Sequence, residues 1–301
     1  MSTYAISDLE KLLGVKAHTL RMWEKRYGLL KSKRTSTNIR YYDDDDLRYM
    51  LNVAFLVKHG WKISRVASMS PEEIASKIRE LKERVDTGYE FEINRLTAAM
   101  IEMDEEQFDR IVSSALLRYG LETAFLKVIY AFFERVGVLW QTGSINPARE
   151  HFVSNLIRQK LIVAIDRLMI PDKDTSRRYL LFLPEEEYHE IGLLFAHYLL
   201  RARGCHSLYL GQSVPLADLT EVQRIYKAHY FFTIITTAFR EQELVDYLHQ
   251  LVSRFREILL LVAGRPVNEL PTGTLPEGVI AFSGPQAVLG FLHQQDTAPH
   301  N

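Results

Sequence analysis

Lys16-Ala17-His18-Thr19-Leu20-Arg21-Met22-Trp23-Glu24-Lys25-Arg26-Tyr27-Gly28 decides how the first part of the chain is read. It forms a helix with an apolar stripe through Leu20 and Trp23 beside a basic face, and Gly28 ends it. Ahead of it, Ile6-Ser7-Asp8-Leu9-Glu10-Lys11-Leu12-Leu13 reads as a shorter helix with Ser7 near its cap, and Gly14-Val15 as a tight turn. Helix, glycine turn, helix is an arrangement whose second helix enters a DNA major groove. Leu9, Leu12, Val15, Leu20 and Trp23 would hold the two together, leaving His18, Thr19, Arg21, Lys25 and Arg26 outside.

Moving outward, residues 31–42 form a basic, hydroxyl-rich loop able to fold as a β-hairpin wing. Lys33, Arg34, Arg40 and Tyr41 would lie over phosphates and set register, while the helix reads base edges. A basic helical hairpin used for protein contacts is the alternative. Net charge supports the DNA reading once it is divided. The whole chain carries −1, but residues 1–70 hold 13 Lys/Arg against 7 Asp/Glu, and the remainder is acidic. DNA contact is therefore confined to the first 70 residues. Asp43–Asp46 would start the next helix, with carboxylates near its positive end, and would deter DNA from that side; a metal-binding run is the competing reading.

The chain divides by texture into 1–70, a linker helix over 71–89, a four-helix bundle over 90–176, an α/β domain over 177–294 and a loose tail, 295–301. The linker opens with Ser70 as cap and Pro71 in the first helical position. The bundle region shows apolar stripes at helical spacing, such as Phe125, Ile129, Phe132, Phe133, Val136 and Leu139. Beyond Arg177, strand-like runs at 179–183, 207–210, 231–236, 258–263 and 278–282 alternate with helices near 189–203, 215–228, 240–256 and 284–294. Fully apolar strands separated by helices mean a doubly wound parallel sheet of flavodoxin type, with ligands beyond the strands' carboxyl ends. There is no internal repeat and no low-complexity segment.

The single cysteine, Cys205, excludes an internal disulfide framework and a cysteine-based zinc site. Its position leading into the second strand fits a small structural residue better than a nucleophile. The start lacks a signal-peptide pattern, and no apolar run approaches the ~20 residues of a membrane span, so a cytoplasmic protein without membrane attachment is expected. No phosphate-type glycine loop follows the first strand of the α/β domain, which disfavours a nicotinamide enzyme.

After that strand comes Pro184-Glu185-Glu186-Glu187-Tyr188-His189-Glu190-Ile191-Gly192. His189 falls on the ligand side of the sheet, Glu187 is placed to hold its imidazole, and Gly192 permits close approach of a bulky group. A lone histidine at a helix start is also a common capping or surface residue.

Residues 4–63 resemble the winged-helix domain of the MerR family of transcriptional regulators. The matching residues are Tyr4-Ala5-Ile6, the run Thr19 to Leu29, and Arg40-Tyr41-Tyr42 followed by Asp43. Trp140, followed ten residues later by Glu150 and His151 across a turn with Gly143, Asn146 and Pro147, extends the likeness. Together with Glu187-x-His189-x-x-Gly192, it resembles the light-sensing CarH/LitR-type cobalamin-binding members of that family, over nearly the whole chain. The resemblance implies a regulator, not an enzyme, that represses by binding double-stranded operator DNA and responds to cobalamin, specifically adenosylcobalamin, and to light. His189 would ligate cobalt from below, Trp140 would pack on the upper axial group, Glu150 would bond an adenosyl ribose and His151 would assist. Gly211, Val214, Thr236 and Gly264 would line the slot for the nucleotide tail.

This chain departs from that pattern at three places. Thr236-Thr237-Ala238 stands where the family has Ser-x-Leu, Ala263-Gly264 where it has Gly-Gly, and Gln141 where the photoreceptors place a histidine. Glutamine is a poor cobalt ligand, so no bis-histidine photoproduct is expected. Leu210–Pro215 fits the family's second βα loop, or an ordinary tight turn. The alternative function is a ligand-independent MerR-type regulator whose degenerate sensor only oligomerises or docks proteins. One winged helix offers a small interface, and the linker is too short for a stable coiled coil. A homodimer or homotetramer through residues 90–290 is therefore expected.

Overall fold

Asp43 caps α3 (Asp44–Lys58): its carboxylate accepts from the Asp46 amide at 3.1 Å, while Asp46 accepts from the Asp43 amide at 3.0 Å. Two amides that the helix leaves without partners are thereby satisfied, which is why an acidic run opens a helix here. The computed structural model describes residues 3–35, 37–84, 88–141, 145–172, 177–237 and 239–297. They form two compact units, 1–154 and 155–301.

In the first unit, α1 (Ile6–Leu13) and α2 (Ala17–Tyr27) meet at Gly14, and the strands β1 (Lys33–Arg34) and β2 (Arg40–Tyr41) pair antiparallel as the wing. Leu9, Leu12, Leu20 and Trp23 are buried between the helices and α3, as expected, whereas Val15 is only half-buried. Ser7 is not the cap of α1. Ala5 holds that place, its amide donating to Asp8 at 2.7 Å, so Ser7 lies inside the first turn.

A short α4 (Ile63–Val66) leads to α5 (Pro71–Arg84), opened by reciprocal bonds between Ser70 and Glu73. Four helices follow: α6 (Glu90–Glu102), α7 (Glu105–Tyr119), a composite helix and α10 (Pro147–Asp166). The composite runs from α8 (Leu121–Ala124) through a π-helical turn, Phe125–Ile129, into α9 (Tyr130–Gln141). The Phe108 ring ties the bundle together, 5.6 Å from Phe132 and 6.1 Å from Phe152. The winged helix shares its unit with α6, α7, the composite helix and α10 as far as Ser154, α1 packing on α9 and α3 on α5 and α6; the rest of α10 belongs to the second unit.

The second unit is a five-stranded parallel sheet: β3 (Arg178–Pro184), β4 (His206–Val214), β5 (Tyr230–Ile234), β6 (Leu259–Ala263) and β7 (Val279–Phe282). Its spatial order is β4-β3-β5-β6-β7, the flavodoxin order, with the topological switch between β3 and β5. Leu219 of α12 (Asp218–Tyr226) and Leu244, Leu248 and Leu251 of α13 (Glu241–Arg254) cover one face with Phe182, Phe231 and Leu260. The helices α11 (Ile191–Ala202) and α15 (Pro285–Thr297) pack together and on the strands, and a short α14 (Arg265–Asn268) follows β6.

Two local readings change. Residues 211–214, expected as loop, continue β4. Gly211 takes φ 85 at a register shift, and pairing with Phe182–Pro184 then resumes. The tail is helical as far as Thr297, and the rest of it lies outside the described residues. Among the described residues no helix is long and apolar enough to cross a membrane.

Candidate functional site

The DNA face is built on α2 and the wing. His18, Arg21, Lys25 and Arg26 are exposed along α2, and Thr19, half-buried, lies 3.2 Å from the His18 ring. Glu24, the one acid on this helix, is turned to the Ser32 amide at 2.9 Å and the Tyr42 hydroxyl at 3.4 Å. In the wing, Arg34 donates to Asn38 at 2.7 Å, Arg40 is exposed and Tyr41 is half-buried. Lys33, expected on phosphate, is paired with Asp43 and lies 3.4 Å from Asp46. The acidic run therefore also braces the wing. Asp44 is turned inward, and Asp45 alone of the four is exposed.

In the sheet unit the residues after β3 meet those after β5 across the switch point. Glu187 is 0% exposed. One of its oxygens accepts from His189 Nδ1 at 2.6 Å and from the amides of Tyr188 and His189 at 3.1 Å. The other accepts from the amides of Thr236 at 2.7 Å and Thr237 at 2.9 Å. Burial alone would raise this carboxyl, but the bonds from His189, Thr237 and Thr236 outweigh it and hold it down at about 2. The His189 side chain remains 54% exposed, with its Nδ1 committed to Glu187.

Neighbouring contacts stitch the loop to β4. The Glu186 amide donates to Ser213 Oγ, the Ser213 amide to the Glu187 carbonyl, and Gln212 to the Tyr188 carbonyl. Gly211 is buried, Val214 half-buried and Thr236 exposed. A Cβ at Gly192 would lie 2.9 Å from Ile234 Cδ1, so glycine lets α11 start against β5. At Gly264, with φ 125, a Cβ would fall 1.9 Å from the Ile235 carbonyl oxygen. The close approach is thus met by Gly264, while Ala263 sits inside β6 opposite Ile234.

Sequence reasoning missed Glu190. It is buried next to His189, accepting from Arg158 Nε of α10 and from the Tyr209 hydroxyl, each at 2.5 Å. Burial and then the Glu190 carboxylate push the Tyr209 hydroxyl well above its ordinary range. Its place directly after the histidine was the only local signal.

In the helical unit, Trp140 lies near the end of α9, 50% exposed. Glu150 and His151 occupy the first turns of α10: Glu150 accepts from Ser154 at 2.5 Å and lies 2.9 Å from His151 Nδ1. The side chain of Gln141, together with Gly143 and Ala238, lies outside the described residues.

Among the described residues no group of three or more His, Cys, Asp or Glu is arranged for a bare metal ion. What the sheet unit offers is one imidazole, fixed in orientation by a buried carboxylate. That donor set fits a metal that a prosthetic group already supplies with its other ligands.

A winged helix with an exposed basic face, joined to a helical bundle and a flavodoxin-order sheet, defines a DNA-binding protein with a sensor region. Residues 4–73 match the MerR HTH family regulatory protein model, and residues 92–164 match the B12 binding domain model. The HTH-type transcriptional repressor CarH of Myxococcus xanthus is 30% identical over 226 residues, 72% of this chain and 73% of that protein. The repressor CarA of the same organism is 26% identical over 218 residues, 72% of this chain and 71% of that protein. The Methanosarcina barkeri monomethylamine corrinoid protein shares the fold at TM-score 0.51 and 16% identity, covering 65% of this chain and 94% of that one. The chain belongs to the MerR-type regulators that carry a B12-binding domain, the family of CarH.

Proposed function

We propose that this protein is a cobalamin-responsive transcriptional repressor that binds double-stranded operator DNA and works in the cytoplasm. The observation that carries the reading is the Glu187–His189 pair, built into the switch point of a chain that also bears the winged helix. His189, oriented by Glu187, would hold the cobalt. Gly192, Gly211, Val214, Thr236 and Gly264 accommodate the nucleotide tail. Trp140, Glu150 and His151 would hold its exchangeable group, with adenosylcobalamin as the preferred form. Cobalamin contributes a cobalt centre with an exchangeable upper group, and this chain's residues bind and orient it without catalysing turnover. The exposed cations of α2, above all Arg21, with Arg40 of the wing, take the DNA.

Assembly as a homodimer or homotetramer through residues 90–290 multiplies the winged helices on one operator and so raises avidity. Gln141 favours a second reading, in which the sheet domain only oligomerises or docks proteins. The visible spectrum of purified protein, mixed with adenosyl-, methyl- or hydroxocobalamin and then desalted, decides between them. Retained colour is expected; protein emerging colourless from every form would leave only the ligand-independent regulator.

A further inference from the structure

Asp43 and Asp44 are adjacent, yet they serve opposite partners. Asp43 is paired with Lys33 of the wing, whereas Asp44 reaches into the bundle. Its Oδ1 accepts from the Tyr4 hydroxyl at 2.7 Å and from Arg149 Nη1 at 3.2 Å, and its Oδ2 from Arg149 Nη2 at 3.0 Å. The two side chains of this forked pair are 14% and 10% exposed, and they lie 105 residues apart in sequence. A buried pair of this kind adds little net stability but fixes geometry, because either charge left alone is costly.

Arg149 is the residue before Glu150 and His151. Its amide donates to the capping Asn146 Oδ1 at 3.1 Å, so the first turn of α10 is held from two sides. The helix α9, which carries Trp140, packs on α1. Both elements therefore rest on the winged helix.

We propose that Asp44, a residue of the DNA-binding half, is a positioning residue for Glu150 and His151, and that ligand at these side chains and DNA at α2 are coupled through the Asp44–Arg149 pair within one chain. This rests on the cobalamin reading above. The first turn of α3 is the joint: Arg149 pulls on it from the bundle, and Lys33 ties it to the wing. Coupling of this kind is reciprocal, so DNA alters adenosylcobalamin affinity by the factor by which adenosylcobalamin alters DNA affinity.

The test uses the full chain, a duplex selected by the unmodified protein from a random pool, and the double variant Asp44→Asn/Arg149→Met. Replacing both charges avoids stranding either one, so thermal unfolding of the double variant stays close to that of the unmodified protein. Two ratios are read. The preference for adenosylcobalamin over hydroxocobalamin should fall about tenfold, the size of one charge-assisted hydrogen bond. The factor by which adenosylcobalamin changes DNA affinity should collapse towards one. A folded double variant that keeps both ratios overturns the inference, as does unmodified protein that binds cobalamin without any change in DNA affinity. Should the double variant not fold, Tyr4→Phe, which removes one bond to Asp44, is expected to lower the adenosyl preference about twofold; an unchanged preference overturns the inference. Colourless unmodified protein overturns the cobalamin reading and this inference with it, whereas coloured protein with unaltered variants overturns this inference alone.

Discussion

The two candidate ligand elements are held in opposite ways. His189 is positioned by its own unit, through a carboxylate that is fully buried and bonded to four backbone amides. Among the described residues Glu150 and His151 are bonded to near neighbours on α10, and the turn that carries them is pinned to Asp44. A ligand held by the backbone of its own domain is pre-organised and insensitive to distant events. A pocket anchored on another part of the molecule can report what happens there. His189 is therefore fixed within its own unit, whereas the turn that carries Glu150 and His151 is tied to the winged helix.

Three substitutions would break or sharpen that contrast. The largest effect is expected from Glu187→Gln, which leaves amides without a charged partner and should lower unfolding stability by about 3 kcal/mol at neutral pH. Unfolded, this carboxyl titrates at 4.5, and folded at about 2. Its contribution is thus complete above pH 4.5 and is lost as pH falls towards 2, so the difference between the two proteins in denaturant titrations should shrink across that window. A constant difference would mean that the buried charge is not what holds the loop. Next, Arg21→Ala should weaken binding to the selected duplex roughly tenfold without moving the unfolding midpoint. Unchanged affinity in a gel-shift titration would count against α2 as the recognition helix. The smallest effect is Glu150→Gln, which should reduce adenosylcobalamin affinity about threefold and leave hydroxocobalamin unaffected. Equal losses for both forms would place Glu150 outside the upper pocket.

The helical and strand elements were legible because their signals are local. The stripe of α2, the Ser70–Glu73 start of α5 and the five apolar runs of the sheet each announce themselves within a few residues. Glu187 as the partner of His189 was equally readable from a spacing of two. What escaped depended on chain folding. Residues 211–214 become strand only because a glycine bulge lets an edge pairing resume, and a loop and a bulged strand look alike in sequence. Glu190 is explained only by Arg158 and Tyr209, from two other elements. Lys33 looked free for phosphate until its pairing with Asp43 was apparent, and nothing near Asp44 signals Arg149.

The π-helical turn at Phe125–Ile129 has a consequence for insertions and deletions. Such a turn accommodates one residue more than regular α-helix, and each residue accounts for roughly 100° of rotation. Everything downstream, Trp140 included, takes its bearing around the helix axis from that extra residue. The length of this segment, independent of which side chains fill it, determines the direction in which the tryptophan faces.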